Sequence, residues 1–165
     1  MADFHIPGKK FDGAYCTVDT FRHLLTEKSA EQHLINVANV LKKNGIYILG
    51  LHLIPKRGIN NKVTRWIAKR GRLTVKTSIT MLKFDKQQRK ETLKVVLTPQ
   101  SKKQKESYTS IYPLRTYTLK QIYKLLDKTG VFNITDVYDH TYDLSHPITL
   151  TDHSDYAVLV LRKIA

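Results

Sequence analysis

The side chains best suited to acid–base chemistry lie near the ends of apolar segments. Cys16 and Thr17 end one such segment, and His23 follows a few residues later. An imidazole titrates near neutral pH, so His23 is a candidate base, with a histidine that caps a loop as the alternative. Open α/β sheets bind ligands at the carboxyl ends of their strands. Cys16 and Thr17 are therefore candidate binding residues, with simple packing of a strand end as the alternative.

A second histidine, His52, falls inside the nearly continuous apolar segment 46–54. Such a segment is typical of a strand buried on both faces of a parallel sheet. We interpret His52 as a core histidine, with a catalytic base as the alternative. A loop near the C-terminus contains Asp152, His153 and Asp155. Two carboxylates and one imidazole in a loop are usually solvated, so we expect no metal site there.

A strand–helix–strand unit is predicted to position these residues. The apolar segment 11–17 predicts a buried strand. Ser29 and Gln32 have the spacing of a capping box, apolar residues then repeat with a helical period, and Gly45 predicts the helix end. The strand at 46–54 would complete a right-handed βαβ unit with parallel strands.

The middle of the chain predicts an antiparallel insertion. A short helix is predicted at 65–70, and alternating apolar residues then predict a hairpin from 72–84 and 93–97. A Lys-rich loop at 99–106 and a strand at 107–117 follow.

The C-terminal part predicts one helix and two strands. Thr118 and Gln121 form a second capping box, and Gly130 predicts the end of that helix. The segments 131–138 and 156–162 then predict the last two strands.

The charge of the chain is concentrated in its middle. The stretch 54–105 contains sixteen basic and two acidic residues, whereas 1–53 and 106–165 are nearly neutral. Such a stretch attracts anions and can bind nucleic acid. The alternative is a solvated insertion that contributes mainly solubility, and it is favoured because the lysines are dispersed and not interleaved with aromatic residues.

Several classes of protein are disfavoured by what the sequence lacks. No apolar run approaches the roughly 18 residues of a membrane span, and the N-terminus has no signal-peptide pattern. The single cysteine, Cys16, cannot form an internal disulfide or a Cys/His zinc site. We therefore predict a cytoplasmic protein without a membrane partner.

The order of these segments resembles the C-terminal half of class I S-adenosylmethionine (SAM) dependent methyltransferases. Phe11-Asp12 resembles the start of the family's fourth strand, and 41–45 resembles the end of its next helix, with Asn44 in place of the first of two glycines. The segment 114–118 resembles the family's R-x-Y-T motif.

The resemblance implies an α/β fold with a Rossmann-like methyltransferase sheet, mainly of parallel strands with an antiparallel last strand, and an inserted antiparallel β-hairpin. It also implies a single methyltransferase-like domain over 1–165 that is incomplete at its N-terminus. Within this domain, 55–117 would be the basic insertion.

The resemblance also implies a cofactor and a reaction. The cofactor would be SAM, and its methyl group would pass to an unidentified acceptor, a small molecule. The implied cofactor-binding residues are Met1, Ala2, Cys16, Thr17 and Phe21. The implied substrate-side residues are Arg115, Tyr117 and His52. Arg115 would bind an anionic group bidentately or brace the sheet against a carboxylate. Methyl transfer needs no metal, because positioning carries most of the chemistry. A non-catalytic basic module that binds nucleic acid or a partner chain is the alternative function.

The sequence lacks one part with which the family holds its cofactor. No G-x-G pattern occurs in the chain, and Met1-Ala-Asp-Phe4 resembles the tail of the family's adenine motif, cut just after its aspartate. We expect a truncated gene, a mis-assigned start or one half of a split protein, and an isolated chain that is inactive. The strand at 11–17 would then be an exposed edge, so we expect self-association or pairing with the missing N-terminal half.

Overall fold

The computed structural model describes residues 1–58, 63–100 and 106–164, and these form two compact units. The first unit combines Met1–Ile59 with Arg115–Ala165, and the second is the continuous segment Asn60–Leu114. Within the described residues, neither helix has the length and apolar character needed to cross a bilayer. The predicted Lys-rich loop at 99–106 falls mostly on 101–105, outside the described residues.

The described residues of these units form eight strands and two α-helices. In chain order they are β1 (Phe11–Cys16), α1 (Glu27–Val40), β2 (Leu41–His52), β3 (Thr64–Arg70), β4 (Leu73–Asp85), β5 (Lys90–Gln100), β6 (Tyr108–Arg115), α2 (Leu119–Thr129), β7 (Phe132–Tyr138) and β8 (Tyr156–Lys163). A short 3-10 helix, Thr20–His23, lies between β1 and α1.

The sheet of the first unit has the strand order β1-β2-β8-β7. β1 and β2 are parallel and are joined through α1, as the βαβ prediction requires. β8 pairs antiparallel with both β2 and β7, so only one of the three pairings is parallel. The α/β class is confirmed, but the Rossmann-like, mainly parallel description of the sheet is not. The reason is that β8 separates β7 from β2, although these two strands run in the same direction.

α1 begins earlier than the sequence predicts. Thr26 is its N-cap: the Thr26 hydroxyl accepts the Ser29 N–H at 3.1 Å, and the Ser29 hydroxyl accepts the Thr26 N–H at 3.3 Å. Ser29 is therefore the second partner of the capping box and not its first residue. The predicted apolar face is confirmed, since Leu34, Val37 and Ala38 are buried in the core.

The chain passes from α1 into β2 through a tight backbone approach. Asn44 has a φ of 61°, the left-handed conformation that glycine and asparagine tolerate best. Gly45, predicted to end the helix, has no positive φ. A Cβ at Gly45 would instead lie 3.0 Å from the Lys42 carbonyl oxygen and 3.2 Å from that of Asp12. Glycine is needed here for space.

α2 has the two ends that the sequence predicts. Thr118 and Gln121 form a capping box, and Gly130 ends the helix with a φ of 60°. Its buried residues, Ile122, Leu125 and Leu126, belong to the hydrophobic core.

The second unit is a four-stranded sheet in the order β3-β4-β5-β6, larger than the predicted hairpin. β4 pairs antiparallel with β3 and with β5. The predicted helix at 65–70 is wrong, because these residues form β3, in which Trp66 pairs with Thr77. Strand formation depends on neighbouring strands more than on local propensity, and β4 supplies seven paired residues here.

The sheet of the second unit separates charged from apolar side chains. Residues paired across an antiparallel ladder point to the same face, so the register assigns each side chain to a face. Among the described residues of β3 to β5, one face, here called the basic face, carries Arg65, Lys69, Lys76, Lys83, Lys90, Lys94 and one carboxylate, Asp85. The opposite face carries Arg70 and Glu91 among mainly apolar residues that include Trp66, Val75, Ile79, Val95 and Leu97. Lysines that are dispersed along the sequence are thus collected on one face.

Replacing Gly45 by alanine should destabilise the first unit. The new Cβ would press on two backbone carbonyl oxygens that have little freedom to move. We expect the free energy of unfolding, measured by urea titration, to fall by about 1–3 kcal/mol. Gly13→Ala is the matched control, because its Cβ would meet only the Ile46 carbonyl oxygen at 3.5 Å. Equal losses in the two variants would contradict this explanation.

Candidate functional site

β1 and β2 are parallel neighbours, so their carboxyl ends lie at one edge of the first unit's sheet. Cys16 is the last residue of β1, and β2 continues to His52. The chain leaves β1 through Thr17, Val18 and Asp19 before the 3-10 helix begins. Ligands of open α/β sheets bind at edges of this kind.

Val18 and Asp19 are both in the left-handed backbone conformation, with φ values of 54° and 62°. This conformation costs on the order of 1–3 kcal/mol for a residue with a side chain, and a β-branched valine is especially disfavoured. The Asp19 N–H donates to the Gly50 carbonyl at 3.3 Å, and the Asp19 carbonyl accepts the Arg22 N–H at 2.9 Å. These bonds hold the Asp19 side chain against the end of β2.

Three donors converge on the Asp19 carboxylate. Oδ1 accepts the backbone N–H of His52 at 2.7 Å and lies 3.1 Å from Nη1 of Arg22. Oδ2 lies 2.6 Å from Nδ1 of His52. Burial favours a higher pKa for Asp19, but the hydrogen bonds from His52 and the charge of Arg22 outweigh burial and lower the pKa to about 2. The carboxylate is therefore ionised at neutral pH.

Asp19 orients the imidazole of His52. An ionised carboxylate only accepts hydrogen bonds, so Nδ1 of the neutral ring carries the proton and Nε2 carries the lone pair. The ring packs edge-on against Tyr156 with centroids 4.8 Å apart, and Nε2 makes no hydrogen bond to the described residues. The His52 side chain is 59% exposed, so the interpretation as a core histidine is wrong. The physical reason is that His52 is the last residue of β2, where the sheet opens to solvent.

Two buried arginines connect this site to the start of α1. Arg22 donates from Nε to the Arg115 carbonyl at 2.9 Å. The Arg115 guanidinium donates to the Leu25 carbonyl and to the Glu27 carboxylate, each at 3.0 Å. Of the two roles predicted for Arg115, binding an anionic group or bracing against a carboxylate, the contact with Glu27 is of the second kind. The continuous network runs from Glu27 through both arginines to Asp19 and His52.

Cys16 and Phe21, on either side of the left-handed loop residues, are both buried. Burial raises the pKa of the Cys16 thiol. Phe21 is fully buried, with its ring against those of His33 and Tyr117. Both side chains therefore anchor the loop to the hydrophobic core.

Met1 and Ala2 are fastened to α1 by their carbonyl groups. The Met1 carbonyl accepts from Nδ1 of His33 at 3.0 Å, and the Ala2 carbonyl accepts from the Asn36 amide at 2.8 Å. Nε2 of His33 then accepts the Tyr47 hydroxyl at 2.9 Å. The buried His33 thereby connects the N-terminal segment to β2.

The other predicted site residues are more dispersed. His23 ends the 3-10 helix with an exposed side chain, and the Thr17 carbonyl accepts the N–H of Thr20. Tyr117 is 1% exposed and belongs to the core. In the C-terminal loop, Asp155 pairs with Arg57 at 3.3 Å. The described ranges contain no group of three side chains suited to hold a metal ion.

The sequence prediction misses Asp19, Arg22 and Tyr156. Asp19 lies 33 residues from His52 along the chain, so no local pattern joins them. The available signal was positional: a carboxylate follows one predicted strand, and a histidine lies near the end of the strand predicted to be its parallel neighbour. Side chains in these positions meet at the same edge.

The architecture is similar to that of solved SAM-dependent methyltransferases, and the class I methyltransferase fold is confirmed. A SAM-dependent methyltransferase from Clostridium acetobutylicum has a TM-score of 0.73 at 15% identity, over 98% of this chain and 61% of that one. An amino pentose methyltransferase from Micromonospora echinaspora has a TM-score of 0.70 at 15% identity, over 99% and 62%. A sugar N-methyltransferase from a Streptoalloteichus species has 0.67 at 12%, over 96% and 59%.

At these identities, the solved structures share their fold with this chain. The chain spans about three fifths of the length of each of these solved structures. The sequence matches no protein-family model and no curated protein.

Buried His33 should make the stability of the first unit depend on pH. Burial lowers the pKa of His33, the bond to the Met1 carbonyl opposes this, and the nearby terminal ammonium adds to the lowering. The unfolded chain gains a proton below about pH 6.5 while the folded chain stays neutral to a lower pH, so stability is lost as the pH falls. Urea titrations at about pH 7.5 and about pH 5.5 should show a smaller loss for His33→Gln than for the wild type. Identical pH dependence in both proteins would contradict this.

Proposed function

We propose that the protein containing this chain transfers a methyl group from SAM to an amine of a small molecule. The observation that carries the proposal is the ionised Asp19 carboxylate in contact with Nδ1 of His52, at the carboxyl edge of a methyltransferase-fold sheet. The fold supports the class of reaction, and the pair supplies a proton acceptor where ligands of such sheets bind. Two of the similar structures are described as an amino pentose methyltransferase and a sugar N-methyltransferase, which supports a small, polar acceptor.

Bound SAM would supply an electrophilic methyl group on a positively charged sulfur. The backbone at Cys16 and Thr17 would hold the methionine part of the cofactor, as the resemblance implies. The carbonyl groups of Met1 and Ala2 are engaged by α1, so these residues would contribute their side chains and N–H groups. Phe21 is enclosed and would act by supporting the loop.

In this proposal the glycine-rich part of the cofactor site comes from polypeptide outside these 165 residues. No G-x-G pattern occurs in the sequence, and β1 is an edge strand of the described sheet. Tyr15 on this strand and Val18 just after it are 80% and 76% exposed. A strand edge of this kind accepts another strand. We therefore infer that the polypeptide carrying the glycine-rich loop pairs with β1.

The isolated chain and a longer protein should differ in SAM binding. The 165-residue chain should give no binding heat in calorimetry, because it lacks the glycine-rich loop. A protein that also includes the coding sequence upstream of Met1 should bind SAM with a Kd on the order of micromolar. Tight binding by the isolated chain would contradict the placement of the loop. Failure of the longer protein to bind SAM would contradict the proposed function.

The basic face of the second unit supports a second candidate function, the binding of nucleic acid. The six cations on this face come from three neighbouring strands, and Asp85 is the one carboxylate among the described residues there. Such a surface attracts a polyanion through release of its counterions, so affinity would depend steeply on salt. This function requires only the second unit and is independent of SAM.

Replacing the four lysines of β4 and β5 on the basic face by glutamine should weaken binding of a short DNA duplex. The variant changes Lys76, Lys83, Lys90 and Lys94 together. We expect an unchanged circular dichroism spectrum, because substitutions of surface lysines usually alter stability little, and a slope of log affinity against log salt that is lower by about 3–4. The control variant changes four exposed lysines of the first unit: Lys9, Lys43, Lys120 and Lys124. Equal weakening in the two variants would contradict a specific basic face.

A further inference from the structure

The strained loop after β1 holds Asp19 between a buried arginine and an exposed histidine. Val18 and Asp19 are both left-handed, and Asp19 Oδ1 lies 3.1 Å from Nη1 of the buried Arg22. The same carboxylate contacts His52, whose side chain is 59% exposed. Backbone strain of this kind clusters at sites whose geometry serves a ligand.

A second Asp–His pair, Asp143 and His146, differs from the Asp19–His52 pair in its position in the fold. Nδ1 of His146 lies 2.7 Å from Oδ2 of Asp143, but these residues are three positions apart in one exposed loop. Asp19 and His52 are brought together from two strands at the carboxyl edge of the sheet. Only the Asp19–His52 pair places an oriented imidazole where a ligand of this fold would lie.

We propose that His52 accepts the proton of the attacking amine during methyl transfer, and that Asp19 is the positioning residue that aims Nε2 at this proton. The inference rests on the proposed methyltransferase function. It assigns to His52 the role of general base, and to the strained loop the task of holding the carboxylate on Nδ1.

The step balances in atoms and charge. The lone pair of the amine nitrogen forms a bond to the methyl carbon of SAM while the carbon–sulfur bond breaks. The electron pair of that bond stays on sulfur, which becomes a neutral thioether. The N–H proton moves to Nε2 of His52, so the positive charge that began on sulfur ends on the imidazolium. Asp19 Oδ2, at 2.6 Å from Nδ1, compensates that charge.

This role restricts the acceptor. A nitrogen that attacks with its lone pair and also has an N–H proton to lose is a neutral primary or secondary amine. A neutral tertiary amine or a thioether has no such proton, and its methylation would gain nothing from His52.

Measuring which ring nitrogen of His52 carries the proton tests the Asp19–His52 geometry without a methyl acceptor. Nitrogen-15 NMR of the labelled 165-residue chain above neutral pH should show the proton on Nδ1. Asp19→Asn should move the population toward the Nε2–H form, because the amide of asparagine can donate to Nδ1. A wild-type His52 that carries its proton on Nε2 would overturn the proposal.

Kinetics of the longer, SAM-binding protein test the base. With D-glucosamine as the amine probe, His52→Gln should lower kcat by about 10²–10⁴-fold and remove the acidic limb of the pH–rate profile. Asp19→Asn should lower kcat by a smaller factor with little change in KM, and added imidazole should partly rescue His52→Ala. His146→Gln, which breaks the loop pair, should keep full activity.

The outcomes separate the two proposals. A wild-type protein that does not bind SAM disproves the methyltransferase function, and the inference falls with it. If His52→Gln methylates the probe as fast as the wild type does, the methyltransferase function stands and the role of His52 is disproved. Should D-glucosamine not be methylated, the tautomer of His52 decides: Nδ1–H supports the proposal and Nε2–H overturns it.

Discussion

The first unit depends on how it compensates two buried guanidinium groups. Arg22 is 3% exposed and Arg115 is 7% exposed, and an unpaired buried charge costs several kcal/mol. Glu27 and the Leu25 carbonyl therefore have to lie at Arg115, and Asp19 has to lie at Arg22. The left-handed loop satisfies the last requirement. Asp19 is thus fixed by a folding constraint before it meets His52, and the fold itself preorganises the site.

Elements whose signals are local could be read from the sequence. α2 has its capping box at Thr118 and its glycine end at Gly130, both within a few residues of the helix. α1 shows where a local signal becomes ambiguous, because Thr26 and Ser29 are both good N-caps, and the structure uses both in one box. The strand at 65–70 carried no decisive local signal, since its pairing with β4 comes from residues further along the chain.

The candidate site was predictable in its location but not in its chemistry. The ends of β1 and β2 mark the ligand edge of a parallel pair, and Cys16 and Thr17 lie there as expected from the strand pattern. Which side chains touch depends on the dihedral angles of two residues, Val18 and Asp19, that sequence rules assign to the left-handed region only rarely. The orientation of His52 follows from those angles.

The order of strands in the first unit also governs when the chain can fold during synthesis. β2 pairs with β8 from Ile46–Arg162 to His52–Tyr156, so its partner is made more than a hundred residues later. The second unit is continuous from Asn60 to Leu114 and pairs mainly neighbouring strands, which favours early folding. On the ribosome, one hydrogen-bonding edge of β2 would thus stay unpaired until the last strand emerges, and unpaired strand edges make a partly folded chain prone to aggregation.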